Sequence, residues 1–377
     1  MIYLDNAATT YPKHEAVYSA MDDANRRLSV NAGRGSYNAA REASSLIEET
    51  RSQILTLFHA KDIADAVFTP SVTHAINQVL RGFHLGSDSV VYITPYEHNA
   101  VARTVSDLQK STGCRIEFIP MKDDLTIDLD QSEYAFSMLP PDLVVMNAVS
   151  NVTGYILPIK ELCALAKEYC CMTVIDSAQA AGLIPIDLQN LQADIICFAG
   201  HKTLEGPFGI GGFVIRKSAT AMIAPVFTGG TGSNSLNTDM PESMPGRYEA
   251  SSQNIVAIAG LHAALELCNI DEHYKTLHDL SQYLIKGLNS VQKVNILGLT
   301  ENNIGIVSFV IDGYSSGDVG VILNDEFDIA VRTGYHCAPY IHEFLHDSDS
   351  DGTIRVGLGR FNTEQDIDAL ISAFKTL

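Results

Sequence analysis

The sequence predicts an α/β protein in which a mostly parallel mixed sheet is flanked by helices and followed by a smaller α+β domain towards the C-terminal end. Short apolar runs alternate with helical segments as far as Ile215, which is the pattern of βαβ units around a parallel sheet. A Gly- and Pro-rich stretch, from Thr228-Gly229-Gly230-Thr231-Gly232 to Pro245-Gly246, then breaks the alternation, as a change of domain does. The length of 377 residues exceeds the size at which one core usually keeps growing. The expected division is a large domain over 14–250 and a small one built from 1–13 and 251–377.

Each element has its own signal. Over 41–58, Leu46, Ile47, Ile54, Leu55 and Phe58 recur at helical spacing. Ala66-Val67-Phe68-Thr69 reads as a strand, Pro70-Ser71 as a turn, and a helix begins near Val72-Thr73. Apolar runs predict further strands at 89–94, 115–119, 143–147, 173–176, 195–198 and 212–215, with helices at 100–110 and 159–169 between them. Beyond the glycine-rich stretch come helices at 254–268 and 277–288, a strand at 305–311, a helix at 319–324 and a closing helix at 364–374.

Composition narrows the class. Hydrophobic residues make up 46% and charged residues 19%, ordinary for a folded protein. No apolar run is long enough to span a bilayer. Met1-Ile2-Tyr3-Leu4-Asp5-Asn6 lacks a basic region followed by an apolar core, so no membrane association and a cytoplasmic location are expected. A formal charge of -20 repels phosphate backbones, so nucleic acid is not an expected partner. Seven cysteines without framework spacing are expected to stay reduced. Cys114, Cys163, Cys170, Cys171, Cys197 and Cys268 lie among apolar residues, as small buried hydrophobes do.

The chemistry concentrates at strand ends. Asp176-Ser177-Ala178-Gln179 and Ala199-Gly200-His201-Lys202 each follow an apolar run that reads as a buried strand, and open α/β sheets bind ligands beyond such ends. An acid, an amide, an imidazole and an amine gathered there are what pyridoxal 5'-phosphate requires. The amine forms a Schiff base, the carboxylate keeps the ring nitrogen protonated, and the other groups donate to its oxygens. Each residue also has a plainer reading. Lys202 alone is a solvated lysine, Asp176 a helix cap, His98 an interior histidine, and Thr73 an N-cap at a helix start that would otherwise hold phosphate. The run Gly206-Pro207-Phe208-Gly209-Ile210-Gly211-Gly212 is expected to let the backbone approach a planar cofactor. It is a poor dinucleotide fingerprint because it leads into a strand.

Six motifs occur in one order across nearly the whole chain: Tyr3-Leu4-Asp5-Asn6-Ala7-Ala8-Thr9-Thr10, Thr73-His74-Ala75-Ile76-Asn77, Ser150-Asn151-Val152-Thr153-Gly154, Asp176-Ser177-Ala178-Gln179, Gly200-His201-Lys202, and Arg332-Thr333-Gly334-Tyr335-His336-Cys337-Ala338. Together they resemble the class V aminotransferase family and, within it, the SufS-like cysteine desulfurases and selenocysteine lyases. The resemblance implies a pyridoxal-phosphate-dependent transferase of fold type I. It implies Lys202 as the Schiff-base lysine, Asp176 at the pyridine nitrogen, Gln179 at the phenolate oxygen and His98 stacked on the ring. Thr73 and His201 would bind phosphate beside Val72. Asn151 would sit next to substrate and ring, and Arg355 would clamp the substrate carboxylate. Ser252 would reach the phosphate from the neighbouring subunit of a homodimer. Ala199 and Val72 stand where the family often has hydroxyl or small residues, which implies fewer phosphate contacts.

Cys337 separates desulfurase from transaminase. In Gly334-Tyr335-His336-Cys337-Ala338-Pro339 it is flanked by turn formers and by a histidine able to favour the thiolate. The resemblance implies that it takes sulfur from L-cysteine as a persulfide, leaving alanine, for transfer to a sulfur-acceptor protein. Selenocysteine lyase, another class V lyase or aminotransferase, and a non-catalytic scaffold are the alternatives. His336, Cys337, His342 and His346 lack the acid and spacing of zinc motifs and are expected to be solvated, so no metal is predicted. Asp347-Ser348-Asp349-Ser350-Asp351-Gly352 imitates a calcium loop, but Leu358 stands where its glutamate belongs. A polar turn in a flexible segment between Cys337 and Arg355 is expected instead.

Overall fold

The computed structural model describes residues 1–33, 35–233 and 236–376. The chain opens with a short strand, β1 (Ile2–Tyr3), and two helices, α1 (Glu15–Arg27) and α2 (Asn38–Leu57). An alternating series follows: β2 (Ala64–Thr69), α3 (Val72–Gly82), β3 (Val90–Ile93), α4 (Asn99–Thr112), β4 (Arg115–Phe118), α5 (Leu129–Met138), β5 (Leu143–Asn147), α6 (Ile159–Glu168), β6 (Met172–Asp176), β7 (Ile195–Ala199) and β8 (Gly211–Arg216). After the glycine-rich stretch come α7 (Ile255–Glu266), α8 (Ile270–Leu288), β9 (Val294–Leu297), β10 (Ile306–Ile311), α9 (Ser316–Phe327), β11 (Ile329–Ala330), β12 (Arg332–Gly334), α10 (Ile341–Leu345), β13 (Thr353–Gly357) and α11 (Glu364–Phe374).

Strands β2 to β8 form one sheet in the order β2-β8-β7-β6-β5-β3-β4. All neighbours run parallel except β8, which is antiparallel to β2 and β7. The central strands are apolar throughout because both faces are covered. Alternation sends Val144, Ile175, Ile196 and Phe198 into the core shared with α6 and α7, and Val145, Val174, Ile195 and Cys197 into the core shared with α3 and α4. A second, antiparallel sheet, β12-β13-β10-β9, belongs to the smaller domain and is covered by α8, α9 and α11.

The strands of the main sheet stand within about two residues of their expected positions. Helices α8 and α9 begin earlier than expected, at Ile270 and Ser316. Asn269 and Ser315 cap them, each accepting a backbone N–H, and capped first turns carry little of the apolar periodicity that marks a helix interior. Helices α1 and α5 carry no clear signal because each buries only two residues, Val17 with Ala24 and Ser132 with Phe136. Cys114, Cys163, Cys171 and Cys197 are buried as expected, whereas Cys170 is exposed and Cys268 half-buried. Among the described residues no helix is long and apolar enough to cross a membrane, and no cluster of His, Cys, Asp and Glu could hold a metal ion.

Candidate active site

Parallel register sets Asn147 and Asp176, at the carboxyl ends of β5 and β6, beside Cys197 midway along β7. Asp176 is buried, and its carboxylate accepts the Ala178 N–H at 2.9 Å. Burial raises its pKa, against that hydrogen bond and the charge of Lys202. Lys202 lies in the loop after β7, where Gly206 N–H donates to the Gly200 carbonyl at 2.7 Å. Its carbonyl accepts the Glu205 N–H at 2.7 Å and the Thr10 hydroxyl at 2.8 Å. The backbone around this lysine is therefore fixed while its amine has no hydrogen-bond partner among the described residues. Burial lowers the Lys202 ammonium to about 8, opposed by Asp176 and assisted by Arg355 and Arg332.

His98, Val72, Asn151 and Gln179 line the same cavity as Asp176 and Lys202. His98 caps α4, its Nδ1 accepting the Ala100 N–H at 3.0 Å, so a neutral ring carries its hydrogen on Nε2. Burial, and then Lys202 and Arg332, lower its pKa to about 3, which keeps the ring neutral at neutral pH. Gln179 donates to the Ala7 carbonyl at 2.7 Å, leaving one amide hydrogen for a ligand. Asn151 donates to the His336 carbonyl at 2.7 Å, and its Oδ1 is buried without a partner. Arg355, on β13, donates to the Asn151 carbonyl and to Asp5 Oδ1, both at 2.8 Å, while its Nε has no partner.

Thr73 and Ser252 do not line this cavity. Thr73 is exposed in the first turn of α3, which Ser71 caps by accepting the His74 N–H at 3.3 Å. Ser252 is exposed on a separate groove with Thr69, Pro70 and His74, and accepts from Asn31 at 3.3 Å. His201 stacks on Phe208 at 4.6 Å, with Nδ1 buried and unpartnered. Burial, then Lys202 and Lys13, lower its pKa to about 4. Ala199 is buried at the end of β7.

Cys337 occupies the turn between β12 and α10. His336 and Cys337 both have positive φ, 45° and 58°, and the Cys337 carbonyl accepts the Asn99 N–H at 2.6 Å. That bond ties the turn to the start of α4, beside His98. His336 does not supply the expected cation. It is buried against Thr353 Oγ1 at 2.7 Å, and burial together with Arg355 pushes its pKa down to about 2. The cation at the sulfur is Arg332, whose Nη2 lies 3.8 Å from Sγ. His342 is not solvated either: it is buried, with Nδ1 2.5 Å from Asp347 and Nε2 2.9 Å from the Tyr335 carbonyl. The segment from Cys337 to Arg355 thus has internal ties. The glycines after Lys202 also serve another purpose than expected. A Cβ at Gly211 would lie 2.7 Å from Val72 N, and one at Gly212 2.1 Å from the Val67 carbonyl oxygen, so they admit neighbouring backbone.

Sequence reasoning missed Asp5, Glu97 and Arg332 as parts of the site. Asp5 and Arg332 stood inside quoted motifs, but their partners are 350 and 5 residues away. Glu97 precedes His98 and is fully buried, its Oε1 accepting from Thr94 at 2.6 Å and from Asn147 N–H at 2.9 Å. One cavity thus gathers a buried amine, a buried acid and a neutral imidazole, with the Arg355 guanidinium tied to it through the Asn151 carbonyl and the Cys337 turn through the start of α4.

The class-V aminotransferase family pattern matches residues 2–370. A protein of Halalkalibacterium halodurans named a probable cysteine desulfurase is 33% identical over 98% of this chain and 91% of its own length. Among solved structures, the apo cysteine desulfurase of Thermococcus onnurineus NA1 superposes with a TM-score of 0.92 at 29% identity, covering 99% of this chain and 94% of that one. An Escherichia coli cysteine desulfurase, recorded as an S-sulfonic acid, gives 0.86 at 26% identity, covering 100% and 94%.

Proposed function

The chain belongs to the class V aminotransferase family, and from that premise we propose that it is a pyridoxal-phosphate-dependent cysteine desulfurase with Cys337 as its sulfur acceptor. Full-length similarity to cysteine desulfurases supports the activity. The observation that carries the site assignment is the convergence of Lys202, Asp176, Asn151 and His98 on one cavity, with the Cys337 turn tied to the same end of α4.

The residues present fit the cofactor. Asn151 Oδ1, His201 Nδ1 and Arg355 Nε are buried without partners, and Asp176 meets no cation at ion-pair distance among the described residues. A phosphorylated pyridine with an amino-acid substrate would satisfy such a set. Lys202 would hold it covalently, Asp176 would keep its ring nitrogen protonated, Gln179 and His98 would contact the ring, and His201 and the start of α3 with Thr73 would take the phosphate. When bound, the group supplies an aldehyde for amines and a cationic ring that draws electrons from the adjoining carbon. Ser252 would come from the partner subunit of a homodimer.

The chain's own groups then divide the work. Arg355 Nε binds the substrate carboxylate, its other nitrogens already fixed by Asp5 and Asn151. Lys202 Nζ, lowered to about 8, moves the α-proton near neutral pH. Cys337 Sγ forms an S–S bond with the substrate sulfur as the Cβ–S bond breaks and its electron pair stays with carbon. In sum, cysteine and one thiol give alanine and one persulfide, which a thiol of an acceptor protein then takes over.

The test is direct. Purified protein supplied with pyridoxal 5'-phosphate should be yellow and release alanine and sulfide from cysteine in the presence of a thiol. Lys202→Ala should lose the colour and Cys337→Ser the sulfide. A Cys337→Ser variant that releases alanine from cysteine undiminished would overturn the role of Cys337. One that is silent on cysteine but active on selenocysteine would assign the chain as a selenocysteine lyase.

A further inference from the structure

Two arginines face one another across the small sheet. In the antiparallel pairing of β12 with β13, Arg332 is the direct partner of Arg355, so both side chains leave the same face of the sheet. Like charges directly opposite on adjacent strands are destabilising. Arg355 is compensated by Asp5 Oδ1 at 2.8 Å. Arg332 has no such partner. Among the described residues no carboxylate lies within ion-pair distance of it, and its one hydrogen bond is from Nη2 to Cys337 Sγ at 3.8 Å. A guanidinium kept opposite another, with a sulfur as its sole acceptor, calls for an anion at that sulfur.

We propose that Arg332 is a catalytic residue that pairs with the sulfur anion at Cys337, holding the thiolate before sulfur transfer and the terminal sulfur of the persulfide after it. The inference rests on the desulfurase reading for its chemistry, but the pairing itself is a property of the free protein. The surroundings leave this role to Arg332. The two imidazoles near the turn, His98 and His336, are neutral because burial and the adjacent cations hold their protons off. His342 is bonded to Asp347 and the Tyr335 carbonyl. Lys202 and Arg355 add positive charge from the large-domain loop and from β13, each with an acid of its own nearby in Asp176 and Asp5. A positive φ at both His336 and Cys337 lets the chain turn back on β12 within five residues, which returns the thiol to the guanidinium.

Alkylation of the thiol reads this pairing without turnover. The full-length protein, loaded with pyridoxal 5'-phosphate, is treated with iodoacetamide at pH 7.5 and at pH 9.5. Modification of Cys337 is followed by peptide mass spectrometry, with exposed Cys170 as the internal standard. Arg332→Gln should slow Cys337 roughly tenfold relative to Cys170 at pH 7.5, because the sulfur anion loses its charge-assisted partner. It should leave the rates at pH 9.5 within about twofold of wild type, since alkali forms the thiolate without help. Arg332→Lys should restore most of the lost rate at pH 7.5. An unchanged rate in Arg332→Gln at pH 7.5 overturns the pairing, and so does an equal loss at both pH values, which would mean altered access. Alanine release from cysteine by the wild-type protein is measured in parallel. Its failure would sink the desulfurase reading while a charge-dependent Cys337 would still establish the pairing.

Discussion

Glu97 shows how far one side chain can depart from what its neighbours in sequence suggest. Its carboxyl is fully buried, with Oε1 taken by Thr94 and Asn147 and Oε2 unpartnered. Burial, with the charge of Asp176 adding to it, pushes its pKa from 4.5 up to about 8, against the bond from Thr94. The sign follows from linkage. Between about pH 4.5 and pH 8 the unfolded chain gives up this proton while the folded chain keeps it, so Glu97 disfavours the folded state increasingly as pH rises through that window. Glu97→Gln mimics the protonated form and cannot ionise. Its unfolding free energy relative to wild type, measured in urea at several pH values, should therefore increase from pH 5 to pH 8, and a constant difference would show that Glu97 is ionised in the fold. Lys202 and Asp176 were legible beforehand because each ends or follows an apolar strand. Glu97 was not, because nothing in a sequence separates a carboxyl aimed into a core from one aimed at water.

Among the elements, α3 and β8 show how a local pattern acquires its purpose from packing. Helix α3 is the expected phosphate end of the site, and β8 passes so close to its start that Gly211 has no room for a Cβ, with Val72 N at 2.7 Å and the Phe198 carbonyl oxygen at 2.9 Å. Gly211→Ala should displace the first turn of α3. A loss of roughly 1–3 kcal/mol is expected in urea unfolding, with weaker binding of pyridoxal 5'-phosphate in titration of the apo protein. Stability and affinity equal to wild type would show that the turn has room to yield. The glycines were visible in the sequence, but their closeness to other backbone was not, because it depends on β8 being inserted between β2 and β7. Short strands β12 and β13 were likewise unreadable as a pair, because three to five residues give too little alternation to reveal a register.

At the scale of the whole molecule, the first ten residues join the two domains at the site. β1 pairs with β11 of the smaller domain, while Thr9 and Thr10 donate to the His201 and Lys202 carbonyls of the large domain at 3.0 and 2.8 Å. Asp5 stands between, holding Arg355 at 2.8 Å. Arg355 is 2% exposed, so removing its counter-ion leaves a buried charge unpaired, a loss that reaches roughly 3–5 kcal/mol for fully buried pairs. With the Asp5 side chain 20% exposed, Asp5→Ala should cost about 2–3 kcal/mol in denaturant unfolding and raise KM for cysteine, because the guanidinium loses its orientation. Unaltered stability and KM would show that the Asn151 carbonyl alone positions Arg355.

The sequence by itself determined the alternation of strands and helices, the mixed sheet, the second smaller domain and the order of the chemical groups along the chain. These follow from periodicity, from glycine and proline punctuation, and from motifs whose residues lie close together. Only the tertiary structure decided that His336 is a neutral strut, that Arg332 is the charge at Cys337, that Asp5 holds Arg355, and that Thr73 and Ser252 stand apart from the cavity of Lys202. The physical reason is one of range. Secondary structure is dictated by neighbours a few residues away, whereas burial and charge pairing, which set what an ionisable group can do, depend on which distant strands become adjacent.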